Sequence, residues 1–353
     1  MFPPKLPLEY RFSESDCPRS TSSNAFNDAT PYAAEATSPL QPPTKRTNLV
    51  APPEFRNRLT VVLLALLVCT LGSCTRKSPP SSDAAYGRGG QSLWIGVPAG
   101  RMKTEVFSSV QVSAHPVLLV VLHGDLPDPT PSYQYAFAQL VTQGVNAPGL
   151  QEPIRARLAD WKPLQDIVAV GILRPGYTDN AGDRSDGDMG NAALDNFTPE
   201  VVDAISVAVD QLKKRFGARR VVLVGHSGGA TIAANILGRH PESADAALLV
   251  ACGCDPDAGR ARMRQTRGSP IWQGPTRSLQ PLALVPNVRT DAIVRLIVGE
   301  KDDTGLPKYS LRYAESLKKR GIDAQVTVVP SLGHNILLTS PVLAALAELL
   351  RVE

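Results

Sequence analysis

Aromatic residues are scarce in this chain of 353 residues, at 5%, and charged residues reach only 20%, with a formal net charge of +4. No dense block of Lys and Arg interleaved with aromatics occurs, which argues against a nucleic-acid partner. The five cysteines, Cys17, Cys69, Cys74, Cys252 and Cys254, make no pair of CxxC clusters, and there is no HExxH pair, so neither a metal nor another cofactor is expected. Also lacking is an apolar run long enough to span a bilayer comfortably as a helix. What is present is a hydrophobic share of 43%, enough for one large core, in a length that alone would also allow two domains.

Residues 1–55 are rich in Pro, Ser, Thr and Asn and hold few large aliphatics. Such a segment cannot bury enough apolar surface to offset chain entropy, so it reads as a disordered extension. Arg56 and Arg58 then precede a short apolar run from Thr60 to Leu71. A basic flank, a short apolar core and small residues after it have the layout of a secretory signal. The run closes on Leu71-Gly72-Ser73-Cys74, which resembles a bacterial lipobox. That resemblance implies a lipid on Cys74, residues 1–73 as extension and signal, and a cell-envelope location facing the periplasm or outer membrane if the source has two membranes. The alternatives are an ordinary signal, an uncleaved anchor, or a cytoplasmic protein. Residues 74–93 read as a flexible tether.

From about residue 94 onward, β and α patterns alternate, as in a mostly parallel sheet covered on both faces. Strands are expected over 94–97, 104–112, 116–122, 166–173, 220–224, 246–251, 292–298 and 324–329. The run PVLLVVL is apolar at every position, as a strand buried on both faces requires. Thr198-Pro199 starts a helix, because Thr caps free N–H groups and Pro has no N–H to leave unpaired in the first turn. Its residues Val201, Ile205, Ala208, Val209 and Leu212 share one face, and Gly217 ends it. Ser340-Pro341 repeats the start signal. Residues 255–290 show little periodicity and read as an insertion, a small cap.

The strongest chemical signal is Gly225-His226-Ser227-Gly228-Gly229, between the strand RRVVLV and the helical run ATIAANIL. A G-x-S-x-G in a strand–turn–helix context is a nucleophile elbow. Its sharp turn forces the serine backbone into strain and needs tiny residues two before and two after, which Gly225 and Gly229 supply. Ser227 is therefore the candidate nucleophile. The helix N-terminus and the Gly228 N–H can stabilise the oxyanion formed in acyl transfer.

With this elbow in place the chain resembles the α/β-hydrolase superfamily over roughly residues 94–353, in the order Ser, acid, His. The resemblance implies an eight-stranded α/β-hydrolase sheet. Gly299-Glu300-Lys301-Asp302-Asp303 follows the penultimate strand, where the family keeps its acid, and its G-x-x-D form places that role on Asp302, with Asp303 a neighbour able to substitute. Pro330-Ser331-Leu332-Gly333-His334 follows the last strand, where the family keeps its base. Of the other histidines, His115 opens a strand, His240 sits at a helix end, and His226 is expected to point away from the reaction centre. His334 remains, and imidazole suits the task because it titrates near neutrality. His123-Gly124-Asp125 resembles the family's HG loop, which implies an oxyanion donor at the Asp125 N–H, or else at Leu126; an acidic side chain is unusual there.

Arg174-Pro175-Gly176-Tyr177 resembles a loop of many members, and residues 297–337 resemble the end of prolyl-oligopeptidase-type catalytic domains, without room for their propeller. These resemblances imply a stand-alone serine hydrolase acting on an ester or a short peptide or amide. The competing reading is a non-catalytic binding lipoprotein of the same fold. Tyr177 and Trp272 are candidate substrate contacts roofing the site. Asp183, Asp186 and Asp188 read as a polar rim, since their spacing lacks the EF-hand pattern. Cys252 and Cys254 are open to either a disulfide or two thiols.

Overall fold

The computed structural model describes residues 90–125, 132–148, 150–190 and 194–351. The expected extension, signal segment and Cys74, nearly all of the tether, and Leu126 lie outside the described residues. Among these residues no helix is long and apolar enough to cross a membrane.

Eight strands form one sheet: β1 Gln91–Val97, β2 Gly100–Ser108, β3 Val117–Leu122, β4 Ile167–Ile172, β5 Arg220–His226, β6 Ala246–Val250, β7 Ile293–Gly299 and β8 Asp323–Val329. Their order across the sheet is β1-β2-β4-β3-β5-β6-β7-β8. The β1–β2 hairpin pairs antiparallel within itself and to β4, and every later pairing is parallel. This is the eight-stranded, mostly parallel sheet that the sequence led us to expect.

The helices are α1 Tyr133–Gln143, α2 Glu152–Arg157, α3 Pro199–Phe216, α4 Gly228–Arg239, α5 Pro256–Arg267, α6 Pro281–Leu284, α7 Pro307–Lys319 and α8 Ser340–Leu349. They divide the core into two layers. Leu118, Val120 and Leu122 of β3 belong to the layer that also holds α3, α4 and α7, while Val117, Leu119 and Val121 belong to the layer that holds α1 and α8. Both faces of β3 are therefore dry, which is why its run is apolar at every position rather than at alternate ones.

Local chemistry sets the element ends. Thr198 caps α3, its hydroxyl accepting from the Val201 N–H at 3.5 Å, and Gly217 closes the helix with φ 59°. The expected strand over 104–112 stops at Ser108. The last helix starts at the expected Ser340, one residue after its capping position, Thr339. Within 255–290 the structure forms a twelve-residue helix, α5, that the missing periodicity concealed. The capping signals were there: the Asp255 side chain accepts from the Ala258 N–H at 3.1 Å, Pro256 opens the helix and Gly268 ends it at φ 63°.

Candidate active site

Parallel strands bring their carboxyl ends to one edge of the sheet, and four of the turns there carry the predicted residues. Between β5 and α4, Ser227 has φ 55° and ψ −119°, a left-handed conformation that costs energy for a side-chain-bearing residue. The turn is tight enough that a Cβ on Gly225 would strike the backbone of Gly229 and Ala230, and one on Gly229 would strike the carbonyls of Leu122 and His123. The strain is held from the side: the Ser227 N–H donates to Val250 O at 2.9 Å, and the Ala251 N–H to Ile297 O at 2.8 Å.

The turn after β8 carries His334 and the turn after β7 carries Asp302. Ser227 Oγ lies 2.8 Å from His334 Nε2. His334 Nδ1 lies 2.9 and 3.0 Å from the two Asp302 oxygens. The Asp302 carboxylate can only accept, so Nδ1 bears the proton and Nε2 is free to take the serine's proton. Asp302 Oδ1 also accepts from the Thr304 and Gly305 N–H groups at 2.9 and 2.8 Å. Burial pushes the Asp302 carboxyl up, but the hydrogen bond and charge of His334 and these two N–H groups outweigh it and hold the group below its ordinary value. Asp303 is exposed, and its carboxylate meets only the Thr304 hydroxyl at 3.4 Å among the described residues. The structure thus brings Ser227, His334 and Asp302 into one hydrogen-bonded line and leaves Asp303 outside it.

The oxyanion side is built on β3. The Gly228 N–H opens α4, and neither it nor the Asp125 N–H has an acceptor within the protein among the described residues. The acidic side chain of Asp125 is managed by the loop after β4. Its carboxylate lies against the Cα of Gly228, where any Cβ would collide with it. The fully buried Arg174 neutralises it at 2.7 Å and also donates to the His123 carbonyl at 3.2 Å. His123 is neutral: burial above all, then Arg174, holds it well below its ordinary pKa. Its Nδ1–H donates to the Gly124 carbonyl at 2.8 Å, and its Nε2 accepts from the Arg174 N–H at 3.0 Å. Tyr177 is a correction to the expected roof. It is not among the cavity-lining residues; its ring meets His123 edge-on and the Arg174 guanidinium at 5.0 Å, and its hydroxyl reaches Asp125 at 3.4 Å. It braces the Arg174–Asp125 pair rather than facing substrate.

Sequence reasoning missed Tyr133 and gave His226 no role. The Gly124 N–H donates to the Tyr133 hydroxyl. That hydroxyl lies 3.0 Å from His226 Nδ1, and His226 Nε2 lies 3.0 Å from the His334 carbonyl. A carbonyl only accepts, so Nε2 bears the proton and the tyrosine donates to Nδ1. Burial, aided by His334, lowers the His226 pKa to about 4, so the imidazole is neutral at neutral pH. The result is an oriented relay from the Gly124 loop through Tyr133 and His226 to the backbone of His334. Nothing in the sequence flags Tyr133; the His in G-H-S-G-G was the available signal for its partner.

Other residues of the β4–α3 loop serve structure. Asp179 and Asp183 clamp the buried Lys103 at 2.7 and 2.6 Å, and Asp186 accepts from the Arg101 N–H at 2.7 Å. Asp188 lies 3.8 Å from Arg277. Cys252 and Cys254 form a disulfide, buried beside the elbow.

The catalytic groups open into a cavity of about 980 Å³ lined by Gly124, Asp125, Tyr133, His226, Ser227 and His334 on the sheet side. Gly259, Arg262, Met263, Thr266, Arg267 and Trp272 line it from the 255–290 segment, joined by Arg157, Leu194, Tyr309, Leu337 and Leu338. Trp272, a candidate substrate contact, is thus among the lining residues.

The fold is that of an α/β hydrolase. A family model described as serine aminopeptidase matches residues 181–292. The acylaminoacyl peptidase of Pyrococcus horikoshii superposes with a TM-score of 0.50 at 15% identity, over 70% of this chain and 38% of that one. The ferulic-acid-bound Est1E of Butyrivibrio proteoclasticus gives 0.52 at 13%, over 73% and 98%. A puromycin hydrolase gives 0.51 at 15%, over 75% and 38%. The match thus spans well under half of the two larger relatives and nearly all of Est1E. No curated protein matches the chain by sequence.

Proposed function

We propose that the protein cleaves a carboxylic ester, or a small amide or peptide, through an acyl intermediate on Ser227. The observation that carries this reading is the 2.8 Å approach of Ser227 Oγ to His334 Nε2, with His334 held at its other nitrogen by buried Asp302. In the reaction, His334 takes the Ser227 proton as Oγ attacks the carbonyl carbon, and the Gly228 and Asp125 N–H groups receive the developing oxyanion. His334 then protonates the leaving alcohol or amine. Water, deprotonated by the same imidazole, releases the acid and restores Ser227. Asp302 stays ionised throughout and stabilises the imidazolium.

Substrate size follows from the segment over the site. A cavity of about 980 Å³ lies at the upper end of the range for small-molecule pockets, and α5 with Trp272 stands over it. On this reading the site takes small and medium acyl groups in preference to the loop of a folded protein. Turnover measured on short acyl esters, long acyl esters and peptide amides should be highest for the first class; preference for folded protein substrates would refute the roof. The same reading extends to location: a lipid on Cys74 and a tether over 74–93 would place the domain in the cell envelope beside a membrane, with a small-molecule substrate reaching it from the aqueous side.

A further inference from the structure

The cavity has a charge pattern that acyl transfer itself does not require. Helix α5 turns one stripe into it, Gly259, Arg262, Met263, Thr266 and Arg267, the i, i+3, i+4, i+7, i+8 spacing of a single helix face. Gly259 and Met263 make that face smooth and apolar, and Arg262 and Arg267 make it cationic. Arg157, at the end of α2, adds a third guanidinium to the lining, its Nη2 donating to the Leu338 carbonyl at 3.3 Å. None of the three has an ion-pair partner among the described residues, whereas the lining carboxylates are Asp125, already paired with Arg174, and the single exposed Asp303.

A second observation points to the same corner. Tyr309, on α7, is buried at 2% exposure and lines the cavity, yet its hydroxyl has no hydrogen-bond partner among the described residues. A buried hydroxyl without a partner forfeits the hydrogen bonds it had in water and is retained where a ligand supplies the acceptor. Arg262 is close enough for its charge to favour the ionised form of that hydroxyl, against the burial that dominates and raises its pKa. The neighbouring acid, Asp255, is already spent on Arg312 and on capping α5. The half-buried Arg262 and the unpaired Tyr309 hydroxyl therefore line one cavity, and among the described residues no carboxylate is hydrogen-bonded or ion-paired to either of them.

We propose that Arg262 and Tyr309 form an anion-binding subsite, and that the substrate is an ester or amide carrying a carboxylate or similar anionic group some atoms away from the scissile carbonyl. Arg157 and Arg267 at the rim raise the local concentration of such substrates. This inference rests on the hydrolase reading above for its reaction, but not for its binding.

The test has two arms. In the first, wild-type protein is given the para-nitrophenyl half-ester of adipic acid and the neutral para-nitrophenyl hexanoate, matched in chain length, with a third ester that places the carboxylate on the leaving phenol instead. The account expects kcat/KM for one of the two anionic esters to exceed that for the neutral one by about tenfold at low salt, and the advantage to shrink as salt rises. Arg262→Gln should lower that ratio roughly threefold to tenfold, chiefly through KM, as expected for a single partly exposed charge contact, and Tyr309→Phe by about threefold, as expected for one hydrogen bond. Lys214→Gln, which removes an equal charge on α3, should leave the ratio where it was. In the second arm, Ser227→Ala is titrated with adipic acid monoamide and with hexanamide, following Trp272 fluorescence. Tighter binding of the anion, lost in Ser227→Ala/Arg262→Gln, supports the subsite even if no ester is turned over, a result that would instead sink the hydrolase reading. Equal turnover of anionic and neutral esters together with equal binding of the two amides would overturn the subsite and leave the catalytic reading intact.

Discussion

The choice between two adjacent carboxylates shows how much one side chain's surroundings decide. Asp302 and Asp303 are indistinguishable by residue type, and only the resemblance's G-x-x-D spacing favoured the first. In the structure Asp302 is buried and accepts from His334 and two backbone N–H groups, while Asp303 faces solvent. Asp302→Asn should therefore cost about three to four orders of magnitude in kcat, because the amide no longer fixes the imidazole tautomer. Asp303→Asn should change kcat less than about threefold. Steady-state kinetics on a simple ester checks both, and the reverse ranking would move the orienting role to Asp303. Ser227, His334 and Asp302 were each legible because every one sits in a short motif after a strand. Tyr133 was not, because a tyrosine on a helix carries no signal until the fold brings its hydroxyl to Gly124 and His226. The role of Tyr177 was misjudged for a related reason. The sequence placed its loop on the catalytic side but held no information about whether the ring would meet substrate or Arg174.

Among the elements, the sheet was the most legible part and the insertion the least. Strands β3 to β7 announce themselves as apolar runs because α helices cover both faces, so nearly every position is buried. Helix α5 has Arg, Gln and Asp where a core helix has aliphatics, since one of its faces lines the cavity rather than the core; periodicity therefore failed there and only its caps remained readable. The turns that join these elements also respond to pH. The His226 imidazole, at the end of β5, carries the tie from α1 to the turn after β8, and its pKa is lowered to about 4 from an ordinary value near 6.5. Between these values the unfolded chain binds the proton and the native one does not, so stability is full above about pH 6.5 and falls as the pH drops toward 4. The shift corresponds to roughly 3 kcal/mol. Denaturant midpoints measured from pH 7 to pH 4 should fall accordingly, and His226→Gln should remove most of that slope between pH 6.5 and 4. A slope unchanged in the variant would assign the acid sensitivity to other groups.

For the whole molecule, the account joins a catalytic domain to an expected lipid anchor, and the two parts fail independently. Metabolic labelling with a fatty acid should mark the wild type and not Cys74→Ser, and fractionation should move the variant away from the membrane. An unlabelled, soluble wild type carrying residues 1–73 would remove the anchor without touching Ser227. The alignment of Ser227, His334 and Asp302 makes its own demand, namely that Ser227 be uniquely reactive. The most direct measurement is treatment of the folded protein with a fluorophosphonate, followed by intact mass and mapping of the modified residue. The account predicts one adduct per chain, on Ser227, absent in Ser227→Ala and strongly slowed in His334→Ala. No adduct on folded wild type, or equal labelling of Ser227→Ala, would contradict it.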